Sequence, residues 1–109
     1  MSQAIESEAV SRAPHGRIVG VVLDEVGAPA FGASVLLLED EFVVALDAEQ
    51  MLKECGVRQV ETAATLSDAE HRAREGHFDI ALLDVNINGE MSFGLAESLR
   101  ARGVAVVFA

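Results

Sequence analysis

A doubly wound parallel α/β sheet is the fold class this sequence predicts for residues 34–109, and three observations predict it. Short apolar runs alternate with helical patterns, the order expected of βαβ units. Each helical pattern closes on a glycine, at Gly56, Gly76 and Gly103. The apolar residues are Val, Leu, Ile and Ala, with five Phe as the only aromatics, which suits strands covered by helices on both faces. A chain of 109 residues has room for one such core. Residues 1–33 are expected to be a mobile leader, an extra strand and a connector, and residues 34–109 the sheet domain.

The leader, 1–16, is polar and acidic, and Pro14 and Gly16 punctuate its end. Ile18, Val19, Val21, Val22 and Leu23 make a strand candidate over 17–26, closed by Gly27, Ala28 and Pro29. The first strand of the domain is the aliphatic run 35–38. In the helix after it, Val44, Ala48, Met51, Leu52 and Cys55 recur at helical spacing, which predicts that they face the core and makes Cys55 a small buried residue. Gly56 stops this helix in the C′ position. A second strand is predicted at 57–63, followed by a helix opened by a Ser67–Glu70 capping box. The third strand, 78–83, runs directly into Asp84, and a loop rich in Asn and Gly follows. Ser92 or a neighbour opens the last helix through Leu95 and Leu99, and 104–108 is the fourth strand.

Eighteen Asp and Glu against eight Lys and Arg give a formal charge of −10, which argues against nucleic acid and an anionic membrane as partners. One cysteine makes no disulfide framework and no thiolate zinc site, and a reducing cytoplasm is the expected compartment. The first residues lack the basic start and apolar run of a secretory signal, and no apolar run is long enough to span a bilayer. His15, His71 and His77 lack metal-ligand spacing, and Gly89 and Gly94 lack the Lys-Ser/Thr of a phosphate-binding loop. The acidic stretch 61–75 reads as a solvating face.

Two strands end in acids, one in Glu39, Asp40 and Glu41, the other in Asp84. If those strands are neighbours, about 4.8 Å apart, their terminal carboxylates converge on one edge of the sheet. Such charges repel unless a cation bridges them or a proton is taken up. Clustered oxygen ligands without Cys or paired His suit Mg²⁺, which keeps waters and takes phosphate oxygens into its shell. A carboxylate can also attack phosphorus, giving an aspartyl phosphate.

The run Ser-Val-Leu-Leu-Leu-Glu-Asp-Glu at 34–41 resembles the first strand and acidic pair of the receiver domains of bacterial two-component response regulators. Asp-Ile-Ala-Leu-Leu-Asp-Val-Asn at 79–86 resembles the strand that delivers their phosphoacceptor, and 44 positions separate Asp40 from Asp84. The resemblance implies a flavodoxin-like fold, Asp84 as the phosphorylated residue, and Mg²⁺ held by Glu39, Asp40, Asp84 and the main-chain carbonyl of Asn86. It also implies a histidine kinase or histidine phosphotransfer protein as phosphoryl donor, and a signalling role in phosphorelay rather than an enzyme's.

The sequence departs from that family in two places. No proline follows Asp84 between Val85 and Met91, so a differently shaped loop is expected. The family's later Ser or Thr and its Lys would fall beyond Ala109, so the fold is expected to lack the usual fifth strand and last two helices. The alternative function is therefore a degenerate or truncated receiver serving as an interaction or dimerisation module. An edge left open after the fourth strand invites pairing, and residues 17–23 are expected to cover it within the chain or across a homodimer or strand-swapped oligomer. A phosphohydrolase of the haloacid dehalogenase kind would want an acid where Asn86 stands.

Overall fold

The computed structural model describes residues 31–108, and the extra strand expected at 17–26, with the edge-covering role given to it, lies outside the described residues. The described elements are β1 (Ser34–Leu38), α1 (Phe42–Glu54), β2 (Gln59–Ala63), α2 (Leu66–Glu75), β3 (Ile80–Leu83), β4 (Asn86–Ile87), β5 (Glu90–Met91), α3 (Phe93–Ala101) and β6 (Ala105–Phe108). Four strands form one sheet in the order β2-β1-β3-β6, every pair parallel. This is the predicted four-stranded flavodoxin-like arrangement. Strands β4 and β5 make a separate antiparallel hairpin.

The alternation of side chains along the strands divides the core in two. On one face Val35, Leu37, Ile80 and Leu82 pack with Ala45, Ala48 and Leu52 of α1. On the other Leu36, Leu38, Ala81, Leu83 and Val106 pack with Ala69 and Ala73 of α2 and with Leu95, Ala96 and Leu99 of α3. All of β1 and β3 is buried, which is why those segments read as unbroken aliphatic runs. A Leu or Ile so enclosed contributes about 1.5–3 kcal/mol relative to exposure, and alanines on the helix faces let the helices approach. No helix among the described residues is long and apolar enough to cross a membrane.

Three local expectations are corrected. The buried face of α1 is Ala45, Ala48 and Leu52, rotated from the predicted one. Val44 and Met51 are only half-buried, and Cys55 is exposed at the C-cap rather than in the core. Partial desolvation pushes the Cys55 thiol above its ordinary range, and Glu54 adds to that. The N-cap of α2 is Thr65, whose Oγ1 accepts the Asp68 N–H at 3.0 Å, two positions before the predicted capping box. Thr-Leu-Ser-Asp offers the same three-residue spacing, and the burial of Ala69 and Ala73 fixes which phase is used. Finally, 61–75 is more than a solvating face, because Arg72 bonds Asp68 at 3.0 Å and Glu61 at 3.2 Å, tying α2 to β2. The Asp68 hydrogen bond foremost raises the Arg72 guanidinium further.

Strand ends otherwise shift by one or two residues. Gly56 stands in the expected C′ place with φ +95°, and a Cβ there would meet Phe31 Cδ1 at 2.9 Å.

Candidate functional site

β1 and β3 are neighbours, while β1 connects onward to β2 on its other side, so the crevice at their carboxyl ends lies where the winding changes direction. Leu38 pairs with Leu83, and the next residue on each strand is therefore an acid beside an acid. The Glu39 N–H donates to Ala63 O and the Asp84 N–H to Leu38 O, each at 3.0 Å, so the ladder extends one bond past both strands. Both acids inherit the rigidity of the sheet.

One carboxylate oxygen from each of Glu39, Asp40 and Asp84 lies within 4.8 Å of the others. Glu39 is buried, and its Oε2 accepts the Glu41 N–H at 3.0 Å, which folds the acidic run back on itself. Glu41 occupies the N-cap of α1 without a side-chain cap bond, and its carboxylate is not in the three-acid cluster. No donor among the described residues is bonded to the Asp84 carboxylate.

Two unit charges about 4 Å apart repel by roughly 1 kcal/mol in water and 4 kcal/mol near a protein surface. The main chains of Glu39 and Asp84 are held in the ladder and the Glu39 carboxylate by the Glu41 N–H, which limits how far the cluster can spread. The donor set is all hard oxygen, as Mg²⁺ requires, and the spacing suits an ion that keeps part of its shell as water. The residues present thus fit the ion.

The loop after Asp84, where a different shape was expected, is the β4–β5 hairpin. Asn88 and Gly89 make its two-residue turn, with φ of +53° and +88°. Asn-Gly is the pair that such turns favour, so the hairpin was legible as a turn signal inside the Asn- and Gly-rich loop. Asn86 stands at its base, its Oδ1 accepting the Gly89 N–H at 2.8 Å. The Ser92 N–H bonds Val85 O at 3.0 Å and Ile87 faces Glu90, so the intervening Asn86–Met91 pair is the non-bonded one of the ladder. The Asn86 carbonyl is accordingly not committed to its cross-strand partner.

Ser92 holds a place that helix-opening signals alone did not reveal. It is completely buried at the N-cap position of α3, yet its side chain makes no cap bond. Its hydroxyl donates to the main-chain carbonyl of Asp84 at 2.6 Å, with the Val85 carbonyl at 3.3 Å as a second acceptor. Nothing in the local sequence distinguishes this use from capping.

No protein-family model and no curated protein matches the chain. Solved structures do. SdrG from Sphingomonas melonis Fr1 is 35% identical with a TM-score of 0.61, and the match covers 72% of this chain and 67% of SdrG. The MaeR response regulator bound to beryllium trifluoride is 20% identical with a TM-score of 0.64, covering 71% of this chain and 66% of MaeR. The response regulator PhyR from Brucella abortus is 23% identical with a TM-score of 0.61, covering 85% of this chain and 39% of PhyR. The chain thus spans about two thirds of the length of SdrG and MaeR.

Proposed function

The chain belongs to the response regulator receiver family, and from that premise we propose that Asp84 accepts a phosphoryl group from a phosphohistidine on a kinase or phosphotransfer protein. The observation that carries the proposal is the convergence of Glu39, Asp40 and Asp84 within 4.8 Å at the carboxyl ends of adjacent strands. Glu39 and Asp40 would hold Mg²⁺ together with Asp84 and the main-chain carbonyl of Asn86. When bound, the ion neutralises charge on the transferring phosphoryl oxygens.

The Asp84 carboxylate, bonded to no donor among the described residues, is the nucleophile. An Asp84 oxygen–phosphorus bond forms as the phosphorus–nitrogen bond of the donor imidazole breaks, and the imidazole leaves with the electron pair and takes a proton from solvent water. Glu39, buried and bonded to the Glu41 N–H, keeps one carboxylate fixed under the pocket while Asp84 reacts. The chain is then a phosphoacceptor in signalling rather than an enzyme with a free substrate. Its partners are proteins, its net charge of −10 opposes nucleic acid, and its place is the cytoplasm, where such donors reside.

Incubation with acetyl phosphate and Mg²⁺ tests this by intact mass. The expected result is a gain of about 80 Da, the mass of one phosphoryl group, that is lost on removing Mg²⁺ and absent in Asp84→Asn. A folded wild-type chain that gains nothing from either acetyl phosphate or a phosphorylated phosphotransfer protein favours the degenerate receiver instead.

A further inference from the structure

Both peptide groups that flank the Asp84 Cα are held, and by different parts of the molecule. Its N–H is bound to Leu38 O of β1 at 3.0 Å, and its carbonyl receives the Ser92 hydroxyl at 2.6 Å from the start of α3. Ser92 has no exposed surface, its N–H closes on Val85 O at 3.0 Å, and its own carbonyl accepts the Ala96 N–H at 3.0 Å. One residue therefore joins the end of β3, both ends of the β4–β5 hairpin and the first turn of α3.

We infer that Ser92 is a positioning residue for the acidic pocket, its hydroxyl fixing the Asp84 carbonyl and, with its N–H, the Val85 carbonyl, so that the chain from Asp84 to Asn86 is held and the two residues address the same ion. The inference rests on the receiver reading for its function. A helix N-cap hydroxyl ordinarily accepts from the helix N–H groups. Here it donates outward instead, at the short distance of a well-formed O–H···O bond, to the carbonyl of Asp84 itself, on the peptide that leads from the acidic pocket into the hairpin carrying Asn86. With both flanking peptides pinned, the Asp84 side chain retains only its own two torsions. Removing the hydroxyl takes a partner from a half-buried carbonyl and lets the peptide between Asp84 and Val85 rotate.

The test uses the full chain as wild type, Ser92→Ala and Ser92→Thr, with Mg²⁺ affinity read from backbone amide shifts and stability from thermal melting. Ser92→Ala is expected to bind Mg²⁺ roughly tenfold more weakly, the scale of lost outer-shell support, while Ser92→Thr restores most of the affinity. Thr65→Ala serves as the structural control, since it lowers stability and leaves Mg²⁺ affinity unchanged. Wild-type affinity in folded Ser92→Ala overturns the inference. If Ser92→Ala does not fold, Ser92→Cys fills the space with a weaker donor. A loss of affinity there supports the inference, and wild-type affinity overturns it. Phosphorylation of the wild type is scored separately, so a chain that binds Mg²⁺ in this Ser92-dependent way yet takes up no phosphoryl group contradicts only the proposed function.

Discussion

Asp79 and Asp84 stand at opposite ends of β3, and their carboxylates have opposite employment. Asp79 Oδ2 accepts the Ser34 N–H at 2.8 Å, and the Asp79 N–H donates to Ser34 O at 2.8 Å, so this residue caps the start of the β1–β3 pair. The Asp84 carboxylate has no such donor among the described residues and lies instead beside Glu39 and Asp40. The same residue type on the same strand thus closes the sheet at its amino end and leaves charge unsatisfied at its carboxyl end. In parallel sheets loops at the carboxyl ends open where the winding reverses, and there repulsion can be turned to ion binding.

This contrast can be broken in order of expected size. The largest effect is on phosphoryl uptake, where Asp84→Asn should abolish the mass gain and Asp79→Asn should retain it. Equal loss in both, with both folded, would erase the distinction between the two ends. Next comes stability. Asp79→Ala strips the buried Ser34 N–H of its partner and should cost about 2 kcal/mol by urea unfolding, the penalty of an unsatisfied buried donor. Asp84→Asn should unfold at an equal or higher urea concentration, because it removes repulsion within the cluster.

A smaller effect is expected away from both ends, where Thr65→Ala should cost about 1 kcal/mol through loss of the α2 cap bond without changing Mg²⁺ affinity. The smallest concerns Cys55, at the amino-end side of the sheet where α1 stops. Its thiol lies above the ordinary range through desolvation and Glu54, so less thiolate is present at a given pH than on an unstructured thiol. Iodoacetamide should therefore label native Cys55 more slowly than the urea-unfolded chain at pH 8, the gap narrowing as pH rises. Faster labelling of the native chain would contradict the direction of that shift.

Much of this architecture was legible because the strands are buried on both faces and the helices end on glycine. Continuous aliphatic runs at 35–38 and 80–83 are short enough for strands between helix layers, and the acids directly after them then fall at strand ends. What misled was phase. Val44, Ala48, Met51, Leu52 and Cys55 and the true set Ala45, Ala48 and Leu52 share the helical period, and choosing between them requires knowing how α1 lies on the sheet. The α2 cap failed for a similar reason, since Thr65 and Ser67 both offer a hydroxyl three residues before a carboxylate.

Local sequence determined the parallel α/β class, the strand carrying Asp84 and the acids available to it, because periodicity and burial pattern are properties of neighbouring residues. Only the tertiary structure decided that β1 and β3 are adjacent, and that a hydroxyl eight positions along the chain from Asp84 would hold its carbonyl. Such facts depend on which strands pair and where a loop returns, and no pattern confined to one segment encodes a distance to another.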